Sequence, residues 1–207
     1  MPSFPEQLGF GFDDILEEET ASLPSTMEEG IVHYRALLEN HHAAMLVADK
    51  ATAMVLREEG NRLAVNLNNG EPGILGGPDA PGYVLMRETA AQPGTVPMWG
   101  QRGDFTVTIG DMPVHIVMDG MVGACASMDI WPGFSANVVA PEKPFISETG
   151  YRSFLGVHAD LVPGLTPDAF VREVIAAHIK GPCRGKLRLV EEEYRRRYAV
   201  GRGNTLG

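Results

Sequence analysis

The chain has 207 residues, an apolar fraction of 44%, a charged fraction of 21% and a formal net charge of −10. These proportions are typical of a folded globular domain and exclude general disorder. No apolar run approaches the roughly 18–20 residues that a membrane-spanning helix needs. The N-terminus also lacks the basic start of a signal peptide. We therefore expect a cytoplasmic protein without a membrane partner.

The charge is distributed unevenly along the chain. Residues 1–30 carry eight acidic residues and no Lys or Arg, whereas residues 172–207 carry nine Lys or Arg against four Glu. This polarity favours pairing of the two ends with each other or with a partner. The overall acidity disfavours nucleic acid as a ligand, because phosphates need an excess of nearby cations.

An acidic, apolar arm over residues 1–24 is predicted to precede two helices. The spacing of Ser25 and Glu28 is that of a capping box, and apolar residues at helical spacing then predict a helix over 26–47. Asp49 is a suitable cap for a second helix, which the Asn68-Asn69-Gly70 run should end. The short connection predicts an αα-hairpin. The arm is expected to pack on its own domain, with docking on another protein as the alternative.

An antiparallel β-meander is predicted for the middle of the chain. Alternating apolar residues predict a hairpin from the strand around Phe105–Ile109 and the strand around Val114–Met118. The remaining predicted strands are residues 83–88, 121–127 and 134–139.

Two further helices are predicted near the C-terminus, after an irregular stretch over 144–164. Thr166-Pro167-Asp168 should open the first helix and Gly181-Pro182 should end it, and the second should run over 186–199. The fold class is therefore α+β: an N-terminal αα-hairpin, a central antiparallel β-meander and two C-terminal helices packed on one face of the sheet. The predicted organisation is an arm (1–24), a single α+β domain (25–200) and a short tail (201–207).

The segment PFISETGYRSFLG, residues 144–156, concentrates hydroxyls, an acid, a guanidinium and a phenol in a predicted loop. Arg152 has the geometry to hold a carboxylate or phosphate bidentately, and nearby hydroxyls can add hydrogen bonds. The predicted binding residues are Ser147, Glu148, Thr149, Tyr151, Arg152, Ser153, His158 and Asp160. The structural alternative is that Arg152 pairs with Glu148, four residues earlier, while the Ser and Thr hydroxyls cap backbone groups.

The Gly-Tyr-Arg-Ser-aromatic part of this segment resembles a motif in uncharacterised accessory proteins of bacterial plasmids, integrative elements and phages. The resemblance covers about a dozen residues clearly and brings no activity with it. It implies cargo of a mobile element, where acidic proteins that block host restriction or CRISPR defence are one common class.

Other constellations predict no cofactor or metal. Glu39 and His42 form a single Glu-x-x-His, and a carboxylate di-metal site needs a second one, which the sequence lacks. Cys125 lies among small residues that favour packing over catalysis, and no nucleophile-elbow or phosphate-loop motif occurs. Asp119 and Asp129 have no fixed separation that would make them an acid–base pair. Acidic residues in the predicted last helix neutralise half of its basic charge, which disfavours a nucleic-acid surface.

Two functional hypotheses remain. The leading one is a non-enzymatic binding protein that occupies a host or element-encoded protein partner, through its acidic surface and the loop Ser147–Ser153. The rival is an enzyme that handles a small anionic substrate at Glu148, Tyr151, Arg152, His158 and Asp160. A pocket that gathers these groups and perturbs a histidine or carboxylate would favour the enzyme. Homo-oligomerisation is left open.

Overall fold

The computed structural model describes residues 23–73, 77–122, 130–157 and 159–201, without the side chains of 197 and 199–201. Nearly all of the predicted arm, most of the predicted strand 121–127 and most of the tail lie outside these residues. Within them, no helix is long and apolar enough to cross a membrane.

The predicted αα-hairpin is confirmed as helices α1 (Met27–Leu46) and α2 (Lys50–Asn66). Asp49 caps α2 as predicted, accepting a hydrogen bond from the Thr52 amide. The predicted cap of α1 is one residue too early, because Thr26, not Ser25, accepts the amide hydrogen of Glu29. Two overlapping Ser/Thr-x-x-Glu spacings occur here, and the second, Thr26 with Glu29, is the one that forms the cap.

Helix α3 (Pro81–Glu88) replaces the strand predicted over residues 83–88, which was wrong. Pro81 occupies the first turn, where its fixed φ suits a helix and its missing N–H costs nothing. Leu85 and Met86 are buried and join the apolar core of the hairpin. Packing against that core decides the conformation of a segment whose apolar pattern is too short to do so.

The sheet is an antiparallel meander in the order β1-β2-β3-β4, as the fold prediction required. Its strands are β1 (Gly103–Ile109), β2 (Met112–Met118), β3 (Phe134–Val138) and β4 (Tyr151–Phe154). Strand β4 lies inside the stretch predicted to be irregular. It is only four residues long, and its pairing with β3 gives it a conformation that no local pattern signals.

Helix α4 (Pro167–Lys180) packs on one face of the sheet. Phe170 stacks on Trp131 with ring centroids 4.8 Å apart and meets Phe134 edge-on. The predicted start is correct, although Thr166 donates its hydroxyl to Asp168 rather than accepting a helix amide.

The last helix, α5, spans Glu192–Gly201 and begins six residues later than predicted. The preceding residues run beside residues 145–148, where Phe145 and Arg188 exchange two backbone hydrogen bonds of 2.7 and 2.8 Å. Those bonds occupy backbone groups that a helix would have used. Tyr194 and Tyr198 of α5 pack against the edge of the sheet core.

Trp99 links the helical hairpin to the core of the sheet. Its fully buried indole donates from Nε1 to the Leu165 carbonyl at 2.9 Å. On the opposite side, His41 Nδ1 lies 3.1 Å from the Trp99 carbonyl oxygen, and the Trp99 amide donates to His42 Nδ1 at 3.1 Å. The peptide backbone of Trp99 is thus held between two adjacent imidazoles.

Candidate functional site: a cleft around Arg152

A cleft opens where strand β4 meets the end of α4 and the extended stretch before α5. It has a volume of about 400 Å³. We call it the Arg152 cleft; its lining residues are Ile146, Ser147, Glu148, Thr149, Tyr151, Arg152, His178, Pro182, Cys183 and Arg188. Five of the residues predicted as binding residues therefore come together.

An apolar groove of about 340 Å³ continues the cleft along β4 and shares Arg152, His178 and Pro182 with it. We call this groove the apolar extension. Its other lining residues are Ser153, Phe154, Leu155, Val157, Val174 and Ala177. One continuous surface therefore has a polar half and an apolar half, with Arg152 at the junction.

The hydroxyls of Ser147 and Thr149 serve the backbone. Both donate to the Tyr151 carbonyl oxygen, at 2.8 and 3.0 Å, and the Tyr151 amide lies 3.3 Å from Thr149 Oγ1. Gly150 makes this turn possible with a φ of +74°, and a Cβ there would lie 2.6 Å from the Tyr198 ring. These contacts favour the structural interpretation of the two hydroxyls.

The acid of the segment pairs with a residue that sequence analysis did not connect to it. Glu148 Oε1 accepts from Arg188 at 2.8 Å instead of pairing with Arg152. No ion pair joins Arg152 to any residue that the structure describes. Since Arg152 is also exposed, its guanidinium remains available to an external anion.

His178 contributes an imidazole from the last turn of α4. Its ring meets the Phe154 ring edge-on, with centroids 5.3 Å apart. Burial lowers the pKa of His178, and the nearby charge of Arg152 lowers it further. His178 is therefore neutral at pH 7, so it adds hydrogen-bonding capacity rather than charge to the cleft.

Cys183 was also missed as a site residue. Its side chain is partly buried, and Sγ lies 3.7 Å from the Ile146 carbonyl oxygen. His178 and Cys183 carry no motif in the sequence. They reach the cleft because the chain turns back after α4, and the Cys183 amide donates to the His178 carbonyl.

Two predicted site residues do not line the Arg152 cleft, and a third is outside the described residues. Ser153 lines the apolar extension rather than the polar half. Asp160 is exposed and is not among the lining residues of either half. His158 lies outside the described residues, as do Cys125 and Asp129.

Among the described residues, no three His, Cys, Asp or Glu side chains are grouped so that they could hold a metal ion. His41 and His42, from the single Glu-x-x-His segment, are both engaged with Trp99. Their role in this structure is packing and hydrogen bonding.

The chain is similar to two proteins from Escherichia coli that are each named Protein KlcB. It is 31% identical to one over 197 residues, which cover 94% of this chain and 47% of the relative. It is 34% identical to the other over 170 residues, which cover 80% of this chain and 33% of the relative. The chain thus spans less than half the length of either relative. No family model and no solved structure matches it.

The first of these matches leaves only about a dozen residues of the chain uncovered. Wherever those residues fall at the two ends, the match includes residues 146–188, which contain all the lining residues of the cleft. The cleft therefore belongs to the part of the chain that resembles the longer relatives.

Proposed function

We propose that this protein is a non-enzymatic binding protein of the accessory kind that bacterial mobile elements carry, and that it engages a protein partner at the Arg152 cleft. The observation that carries the proposal is the state of Arg152. Its guanidinium lies in a cleft beside a neutral histidine and has no ion pair within the described part of the chain.

An exposed guanidinium in such a cleft favours an anionic ligand. Arg presents five donors in a rigid fork that matches a carboxylate or phosphate. Glu148, the nearest acid in sequence, is already bound to Arg188, so it does not neutralise Arg152. The contact is then with an acidic group of the partner, even though the chain as a whole carries a net charge of −10.

The accessory assignment draws on two similarities. The Gly-Tyr-Arg-Ser-aromatic segment, which resembles accessory proteins of mobile elements, contributes Tyr151 and Arg152 to the cleft and Ser153 and Phe154 to the apolar extension. The similarity to a protein named KlcB includes the same segment. Interference with a restriction or CRISPR defence protein is the class of role we propose, in the cytoplasm of a bacterial host.

The second candidate is an enzyme acting on a small anionic substrate in the same cleft. The observation that favours it is the convergence of Arg152 with a histidine of lowered pKa and a thiol, His178 and Cys183. Against it, the ring contact of His178 is with Phe154, and Glu148 is held by Arg188. His178 and Glu148 are therefore not arranged as an acid–base pair.

A pull-down from nuclease-treated Escherichia coli lysate tests the proposal. The tagged full chain, its Arg152→Ala variant and its Arg87→Ala variant are washed at stepped salt and analysed by mass spectrometry. Arg87 is the control, because it is an exposed arginine that pairs with Glu88 on α3. We expect one stoichiometric protein that the wild type and Arg87→Ala retain at low salt, and that Arg152→Ala loses.

Two results would contradict the binding role. The same partner profile for wild type and Arg152→Ala would remove Arg152 from the interface. Absence of any stoichiometric protein at every salt concentration would favour the enzyme, and small-molecule screening around Arg152 would follow.

A further inference from the structure

Strand β4 forms one edge of the sheet, and its register shows which backbone groups face outward. The Val138 amide donates to the Gly150 carbonyl at 2.8 Å, so Val138 and Gly150 are a hydrogen-bonded pair. Such pairs alternate along an antiparallel ladder. The N–H and C=O groups of Tyr151 and Ser153 therefore point away from β3, toward the open edge.

These two outward positions differ in what covers them. At Tyr151, hydroxyls of Ser147 and Thr149 occupy both the carbonyl and the amide. At Ser153, no described residue supplies a hydrogen-bond partner on the outer side. The edge is thus closed at one end and open at the other.

The open end adjoins the apolar extension. Phe154 lines this groove from β4, and Val174 and Ala177 line it from α4. Leu155, which follows the strand, is 60% exposed. Arg152 and Phe154 are two residues apart and share the face of β4 that looks toward α4, since alternate residues of a strand share a face.

We propose that the partner contributes an extended segment that adds as a fifth strand along β4, with an acidic side chain on Arg152 and an apolar side chain, two residues away, in the apolar extension. The proposal rests on the proposed function, whose binding site it specifies further. Backbone hydrogen bonds to Ser153 supply affinity, and the alternating side chains supply specificity.

The geometry points to a peptide segment rather than a free anion for two reasons. A small anion would use Arg152 but leave the Ser153 backbone and the exposed Leu155 without partners. An added strand accounts for all three: its backbone pairs with Ser153, its acidic side chain meets Arg152, and its apolar side chain enters the groove that Leu155 lines. The capped backbone of Tyr151 then sets one end of the added strand.

A displayed library of random dodecapeptides tests this inference. It is selected on the immobilised full chain and counter-selected on Arg152→Ala. We expect an acid-x-apolar pattern among the selected peptides. Fluorescence anisotropy should show that a change of the acid to its amide weakens binding about 10- to 100-fold, as expected for loss of a hydrogen bond between charged groups.

Backbone recognition is measured with the same peptides. N-methylation of successive peptide amides should weaken binding at one position only, the amide that donates to the Ser153 carbonyl, because the other outward carbonyl of β4, that of Tyr151, is already occupied. On the protein side, Leu155→Ser should weaken binding. Leu189→Ser is the matched control, since Leu189 is 58% exposed and lines neither the Arg152 cleft nor the apolar extension.

The outcomes separate this inference from the proposed function. Recovery of no peptide that depends on Arg152 would overturn the added strand, and so would uniform sensitivity to N-methylation. If a lysate partner nevertheless depends on Arg152, the binding role stands and only the strand geometry fails. If the lysate partner ignores Arg152 as well, both fail.

Discussion

The two imidazoles that hold Trp99 should make the stability of the protein depend on pH between 7 and 5. A carbonyl oxygen only accepts hydrogen bonds, so the proton of His41 must be on Nδ1, which faces the Trp99 carbonyl at 3.1 Å. His41 is 2% exposed, and its Nε2 has no partner among the described residues. Protonation would place a second, unsatisfied N–H in the interior.

Burial is the main cause that lowers the pKa of His41, while the Trp99 carbonyl opposes it. The charges of Arg57 and His42 add to the lowering. A group whose pKa is lower in the folded state gives full stability above the unfolded pKa, near 6.5, and loses it as the pH falls. The free energy of unfolding should therefore fall between pH 7 and pH 5, and the unfolded pKa near 6.5 limits this fall to about 2 kcal/mol at most.

The assay is urea denaturation of the wild type and of His41→Asn at pH 7, 6 and 5. Asn removes the titrating group and keeps an amide donor near the position of Nδ1, so the Trp99 carbonyl can remain bonded. We expect the two curves of free energy against pH to converge toward pH 5 by up to about 2 kcal/mol, whatever their offset at pH 7. Parallel curves would refute the reasoning, since they would mean that His41 takes up its proton equally in both states.

Three further predictions concern stability and use urea denaturation at pH 7. Arg152→Ala should change the free energy of unfolding by less than about 0.5 kcal/mol, because Arg152 is exposed and has no ion pair in the described structure; a larger loss would favour a structural role. Trp99→Phe should cost about 2–4 kcal/mol, because it leaves the Leu165 carbonyl unpaired and opens a cavity; a loss below 1 kcal/mol, roughly the value of one hydrogen bond, would contradict this. Gly73→Ala should cost at least about 2 kcal/mol, since a Cβ there would overlap the Ala64 carbonyl, and unchanged stability would show that the loop moves aside freely.

The Arg152 cleft shows that the residues of a candidate site can be predicted from sequence, whereas their ion-pair and hydrogen-bond partners cannot. Ser147, Glu148, Thr149, Tyr151 and Arg152 are close in the chain, so their proximity follows from covalent connection alone. Their partners do not. The position of Arg188 beside Glu148 requires a bridge between segments about 40 residues apart.

Local chemistry was sufficient for the elements whose signals lie within a few residues. The Asp49 cap, the Asn69 and Gly70 stop and the alternation of β1 and β2 each arise from neighbouring side chains and backbone. The fold class, α+β with a helical hairpin and a meander, follows from these strong patterns, since each apolar face demands a partner layer.

The tertiary structure decided the segments whose local signals are short or divided. Packing on the hairpin makes residues 81–88 a helix, and pairing with β3 makes residues 151–154 a strand. The tertiary structure also brings His178 and Cys183 close to Arg152, and it leaves Arg152 without an acidic ion-pair partner among the described residues. The physical reason is that burial and backbone pairing between distant segments outweigh local propensities of a few tenths of a kcal/mol per residue.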